Sequence, residues 1–363
     1  MITKNAVNEK QISVTFGFRG KAGYFGSEKA KEEADIIAAA GIKWVVLVTT
    51  VFVEDCMSPR QFIDFECTPS DIEVIEMTEY FHKLGIKVQL RPMLEGHDGC
   101  GRCEVVMLPD LSHRMPGGRP STREAWFRSM IARSRHYAVI AEKCGCEMYC
   151  LNSELDRIVG FNDAWKKVVS EVRKVYSGPA TSCHTIHTAH VNFEKMLSDK
   201  NCWFYDLDML SISSYYPVAD KPHTTVAEMK EKFAPLAKRV DNIAAMYGKP
   251  ILFGELGCTS STGAAIRPWS WQREGAVYDG EEQANYLTAF FETFSGKPWW
   301  RGFCWWKWDE NVDRPDMDSD PRGNKGFTLK GKPALELLRE YTEMVRNSRL
   351  CGDGKLRFSI IDD

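Results

Sequence analysis

Eight short strand-forming runs alternate with eight helix-forming runs between Gln11 and Arg346. Strands are expected over residues 11–19, 44–52, 87–94, 147–155, 180–186, 209–216, 250–257 and 302–308. Trp44 to Phe52 is a continuous apolar, β-branched run, the pattern of a parallel strand buried on both faces. Helices are expected over 27–40, 70–84, 121–145, 162–176, 192–198, 226–247, 281–294 and 333–346, with Pro235 a point of breakage in the sixth. Ser27 and Ser121 stand where N-caps belong, and Glu124 completes a capping-box pattern with Ser121. Gly41, Gly85 and Gly145 stand where helices stop. Such alternation dictates a parallel sheet with crossover helices. Eight units favour its closure into a (β/α)8 TIM barrel over an open doubly wound sheet. No GxGxxG follows the first strand and no phosphate loop occurs, so nucleotide folds lose ground.

The 363 residues suit one such catalytic barrel spanning 1–363, with a Gly- and Pro-rich loop insertion at about 95–120. A net charge of −3 with interspersed signs gives no basic patch for nucleic acid and none for an anionic membrane. Met1 to Lys10 is polar, and no run reaches the ~20 apolar residues of a membrane span. The expectation is therefore an intracellular, cytoplasmic protein. Twelve Cys show no disulfide framework. Cys56, Cys150, Cys183, Cys258 and Cys304 lie in or beside apolar runs and read as small core residues. Cys100 and Cys103 form a CxxC, with His97 and His113 nearby. A loop disulfide, two free thiols and, less well supported by spacing, a metal site are the alternatives.

In a (β/α)8 barrel the active site lies at the C-terminal ends of the strands. Two of those ends carry a glutamate in an apolar run: the fourth, MYCLNSEL, with Glu154, and the seventh, PILFGELGC, with Glu255. A carboxylate beside a buried strand is costly without partners or chemistry. Either one alone is explained by a structural ion pair. The two together, across a barrel mouth, suit glycosidic bond hydrolysis. That reaction needs one carboxylic acid to protonate the leaving oxygen and one carboxylate to attack the anomeric carbon or activate water. Seven of the eleven Trp cluster late, at 269, 271, 299, 300, 305, 306 and 308. They read either as core or as platforms for the apolar faces of sugar rings.

Acid/base on strand four and nucleophile on strand seven is the arrangement of clan A glycoside hydrolases. Within that clan the chain resembles the family 113 β-mannanases. The resemblance rests on GIKWVVLVTT, GIKVQLRP, Ser153-Glu154-Leu155, SSYYP, KPILFGELG, PWSWQ, EEQANYL and GFCWWKWD, in that order. It implies a retaining, endo-acting hydrolase of β-1,4-mannan or manno-oligosaccharides, without a metal or organic cofactor. Glu154 would be general acid/base and Glu255 nucleophile. Many clan A enzymes place Asn directly before the acid/base; here that residue is Ser153, and Asn152, one earlier, is the candidate for the sugar 2-hydroxyl. Met93 stands where a polar sugar contact is expected.

Further candidates surround this pair. Tyr215 or Tyr216, ending strand six, would orient the nucleophile, with the family pattern favouring Tyr216. Arg91, ending strand three, would pair with the nucleophile or a hydroxyl. Trp306 would floor the attacked-sugar subsite. Period-two alternation puts Trp308 on the same face and Trp305 on the other. Trp269 and Trp271 would build a leaving-group subsite. His97, His184 and His187 read as rim histidines. Other β-linked substrates (xylan, glucan, a small glycoside) stay open. A metal-dependent barrel lacks convergent ligands, and a non-catalytic sugar-binding barrel is disfavoured by the presence of both carboxylates.

Overall fold

A computed structural model describes residues 4–107, 121–271, 275–310 and 323–347. His113 and the second part of the 95–120 insertion lie outside the described residues. The strands are β1 (Gln11–Phe16), β2 (Trp44–Val53), β3 (Gln61–Phe62), β4 (Lys87–Gly96), β5 (Met148–Ser153), β6 (Ala180–Thr185), β7 (Leu210–Ser213), β8 (Ile251–Leu256) and β9 (Trp300–Trp305). The helices are α1 (Glu28–Ala39), α2 (Asp71–Lys83), α3 (Thr122–Cys144), α4 (Asn162–Arg173), α5 (Phe193–Ser198), α6 (Val226–Tyr247), α7 (Gly280–Phe294) and α8 (Pro333–Asn347). Neighbours run β1-β9-β8-β7-β6-β5-β4-β2, all parallel, and β1 also pairs with β2, which closes the barrel. The short β3 adds antiparallel to the end of β2, Phe62 opposite Phe52. The fourth and seventh barrel strands are therefore β5 and β8.

The helices form where the residues demand. Capping boxes at Ser70/Glu73, Ser121/Glu124 and Thr225/Glu228 satisfy the first amides of α2, α3 and α6. Gly145 (φ 72°) and Gly248 (φ 71°) take the left-handed conformation that ends α3 and α6. On α4, Trp165, Val168, Val169 and Val172 recur at helical spacing and all face the barrel. Burying each such side chain stabilises the fold by about 1.5–3 kcal/mol. Contrary to expectation, α6 runs unbroken through Pro235. Pro235 and Glu231, whose carbonyl loses its amide partner, both lie on the exposed face, where water replaces the lost bond.

The barrel interior is layered. Trp44, Met148, Met209 and Leu252 close the N-terminal end together with Ala6. Above them, Gln11 donates to Ser13 and Gln89, and Thr181 bonds Ser211. At the mouth, Val46, Val48, Met93, Tyr215, Cys304, Trp306 and Phe327 form a second apolar group. The eleven described cysteines are free thiols, Cys100 and Cys103 among them. Cys150, Cys183, Cys258 and Cys304 are buried as expected; Cys56 is only half-buried, because it lies in the loop three residues beyond β2.

Candidate active site

One extra residue in β5 decides which side chains reach the mouth. Cys150 is level with Thr181 of β6, yet Ser153 is level with Cys183, so β5 bulges between them. The bulge turns Asn152 away. Its amide donates to Ser182, which bonds His184, which in turn bonds Asp156, all buried. Asn152 is therefore not a mouth residue, and Ser153, one step on, takes the inward place and donates to Glu255. Next, Glu154 has φ 55°, and its amide donates to the Cys183 carbonyl at 2.9 Å. Its Oε1 accepts from Ser213 at 2.6 Å, and Oε2 lies 2.9 Å from Arg102 Nη2.

Glu255, on β8, is fully buried. Its Oε1 accepts from Ser153 and, at 3.1 Å, from Arg91 Nη1. Its Oε2 accepts from Tyr215 at 3.2 Å and lies 3.6 Å from Arg102 Nη2. The neighbouring Gly254 is required by space: a Cβ there would stand 2.9 Å from the Cys183 sulfur, and Arg91 reaches past it to donate to its carbonyl. A buried carboxylate met by this many donors is held in place and in orientation.

Arg102 belongs to a short helical turn, Arg102–Glu104, in the loop after β4. It ties the carboxylates together and adds a third, Glu95, at 2.5 Å. Its guanidinium lies 5.7 Å from the Trp306 ring and 5.8 Å from Phe18. Burial works against the Arg102 charge, but Glu154, Glu95 and Glu255 together hold it protonated well above its ordinary value. Burial, then the charge of Glu255, push the Glu154 carboxyl up to about 7, against the opposing pull of Arg102 and Ser213. The site thus sets a carboxyl that holds its proton near neutrality beside a carboxylate fixed by donors. The two Oε2 atoms are no farther apart than the 2.9 and 3.6 Å legs through Arg102 laid end to end. That limit lies at the bottom of the ~6.5–9.5 Å range of inverting pairs, and any bend at the nitrogen takes the pair below it.

The structure brings Glu154, Glu255, Arg91, Tyr215 and Trp306 to one mouth. Tyr216 is a correction: its ring stacks on Phe233 of α6, so Tyr215 is the tyrosine that meets Glu255. Trp308 is another. β9 ends at Trp305, so alternation no longer applies beyond it, and the buried Trp308 indole donates to Glu33 of α1 at 2.7 Å. Trp305 faces outward as expected, its indole bonded to the Phe327 carbonyl. Trp299 and Trp300 also pack outward, on Phe253 and Phe291, whereas Trp269 and Trp271 are half-exposed. Trp271 meets Phe327 edge-on at 5.3 Å and carries Arg19 over its ring. His184 is buried rather than at the rim; His97 packs between Phe52 and Phe62, and His187 against Tyr216.

Sequence reasoning missed Arg102, Glu95, Ser213 and the structural weight of Ser153. An arginine among the glycines soon after a strand end was the available signal for Arg102. It also missed Lys307, buried between Asp309 (3.3 Å) and Glu310 (2.6 Å), where Glu310 accepts from the Gly17 amide beyond β1.

No curated protein matches the sequence. Among solved structures, a GH113 β-1,4-mannanase is 27% identical, with a TM-score of 0.78, over 92% of this chain and 99% of that one. The GH113 β-mannanase of Alicyclobacillus acidocaldarius, in complex with ManMIm, is 26% identical, with a TM-score of 0.78, over 93% of this chain and 98% of that one. The endo-β-1,4-mannanase of Thermotoga petrophila, 15% identical with a TM-score of 0.57 over 95% of this chain and 78% of that one, shares the fold. Residues 14–332 match Glycoside Hydrolase Family 113, and with that span running from within β1 to the start of α8 and including both mouth glutamates, the chain belongs to this family.

Proposed function

We propose that the protein hydrolyses β-1,4-linked mannan or manno-oligosaccharides with retention of anomeric configuration, using Glu255 as nucleophile and Glu154 as general acid/base. The observation that supports the reading is the shared contact of both carboxylates with one Arg102 nitrogen, which keeps their Oε2 atoms closer together than most inverting pairs stand. The similarity to structures named as β-1,4-mannanases supports the substrate class.

In the first step Glu255 Oε2 attacks the anomeric carbon, and the bond from that carbon to the leaving oxygen breaks. Glu154 gives its proton to that oxygen. Burial, the larger cause of the raised Glu154 carboxyl, persists, but esterified Glu255 carries no charge, so the second cause is removed and Glu154 becomes a better base. It then takes a proton from water as the hydroxide attacks the anomeric carbon, and Glu255 leaves as carboxylate. Arg91, Ser153 and Tyr215 keep Glu255 aimed through both steps. Trp306 offers a ring face to the attacked sugar, and Trp271 borders the side toward β8.

The test is digestion of defined β-1,4 manno-, xylo- and gluco-oligosaccharides with NMR of the first-formed anomer. Release of β-configured manno-products supports the reading. Turnover of only the xylo- or gluco-series, or α-configured products, overturns it. A 2-deoxy-2-fluoro-mannoside should label Glu255, and Glu255→Gln should abolish turnover and labelling together.

A further inference from the structure

We propose that Arg102 is a substrate-displaced occupant of the attacked-sugar position: its guanidinium stands in the free enzyme where the anomeric carbon and glycosidic oxygen must sit, and the entering oligosaccharide swings it out. The proposal rests on Glu154 and Glu255 being the reacting pair.

The argument is one of volume. Glu255 Oε1 accepts from both Arg91 and Ser153, whereas Oε2 accepts from Tyr215 and faces Arg102, so Oε2 is the oxygen placed to attack once Arg102 withdraws. A reacting carbon must come within about 3–3.5 Å of it. The leaving oxygen must come within about 2.6–3.2 Å of Glu154. Arg102 Nη2 stands 2.9 Å from Glu154 Oε2 and 3.6 Å from Glu255 Oε2. The same nitrogen thus takes both places. The guanidinium also covers the Trp306 ring, the face a sugar would stack on. A pyranose and this guanidinium cannot be there together.

The geometry also supplies a way out. Only Glu95, of the three carboxylates on Arg102, lies outside the reacting pair, and it bonds Nη1 rather than Nη2. It can keep its hold while Nη2 leaves. Gly99, at φ 91°, and Gly101 precede Arg102 in a loop, where backbone rotation is cheap.

Displacement couples binding to proton uptake. The groups facing Glu154 are Glu255 from β8, Asp156 beyond β5, Cys183 from β6, Tyr215 beyond β7, and Cys103 and Arg102 from the loop after β4. Arg102 is the cation in contact with it. When that cation leaves, Glu255 stays charged, so Glu154 holds its proton more firmly as the sugar arrives. The acid is armed by the substrate.

The experiment compares the unsubstituted chain with Arg102→Met and Arg102→Lys. Mannotetraose kinetics are measured, with inhibition by a cationic imino-sugar and by neutral mannobiose. Displacement predicts that Arg102→Met lowers KM about tenfold, with kcat moving less. It also predicts that Arg102→Met tightens the cationic inhibitor more than the neutral one, because the carboxylates have lost their resident cation. Arg102→Lys, which keeps the charge, should fall between. A rise in KM with loss of kcat in Arg102→Met, restored by Lys, would show that Arg102 binds the sugar in place and overturn the proposal. Equal shifts for both inhibitors would overturn it too. Should Arg102→Met fail to fold by thermal melting, a structure of the native chain with mannobiose decides: Nη2 still between the carboxylates refutes displacement, and Nη2 withdrawn toward Glu95 supports it. Failure of the reacting-pair assignment is separable, since it would leave Glu255→Gln active.

Discussion

Tyr215 donates its hydroxyl to Glu255 Oε2 at 3.2 Å, while the adjacent Tyr216 turns its ring onto Phe233 on the helical side. The two tyrosines make an internal control. A hydrogen bond to a charged group contributes roughly 1.5–3 kcal/mol. Tyr215→Phe should therefore lower kcat about 10- to 100-fold, and Tyr216→Phe should leave it near native. Steady-state kinetics on one oligosaccharide check both; a reversed order would put the wrong tyrosine at the nucleophile.

Removing the acid should separate substrates by leaving group. Glu154→Ala should cripple hydrolysis of unactivated oligosaccharides, whose leaving oxygen needs a proton. Activated aryl glycosides should still form the glycosyl-enzyme on Glu255. Azide, which needs no general base, should speed its breakdown and yield a glycosyl azide of the substrate's own configuration. Equal losses on both substrate types, with no azide effect, would make Glu154 structural.

The pH profile follows from the raised Glu154 carboxyl. A general acid works protonated, so kcat/KM should fall as pH rises through about 7. Ser213 donates to the Glu154 carboxylate and so favours its charged form. Ser213→Ala removes that preference and should move the alkaline limb to higher pH. A limb that moves to lower pH, or stays fixed, contradicts the assignment.

Trp306 and Trp308 differ by two positions and should respond in opposite ways to one substitution. Trp306→Phe shrinks the ring at the mouth and should lower kcat/KM several-fold with little change in melting temperature. Trp308→Phe deletes a buried donor to Glu33, a loss of about 1–3 kcal/mol, and should lower the melting temperature while leaving KM unchanged. Thermal melts alongside kinetics distinguish them.

Much of this was readable from residue pattern alone. Barrel order, strand positions and the two glutamates follow from period and burial, because a polar residue ending an apolar strand stands out in a list of letters. What was not readable depends on local breaks in that period. The extra residue in β5 exchanges Asn152 for Ser153, and the end of β9 at Trp305 redirects Trp308. Neither carries a Gly or Pro signal. Tyr215 and Tyr216 are alike in chemistry, and only the turn after β7 chooses between them. Arg102 reaches the site from a loop whose path no periodicity describes.

Glu154 adopts φ 55°, a conformation that suits asparagine or glycine better than glutamate and costs on the order of 1 kcal/mol for most side chains. It also keeps a carboxyl group buried against a like charge. Protein stability and catalysis therefore select different residues at position 154. Glu154→Asn should melt at a higher temperature than the native chain while losing hydrolysis of unactivated oligosaccharides. A lineage released from selection for turnover would lose this glutamate early, drifting toward a more durable barrel that has forgotten its reaction.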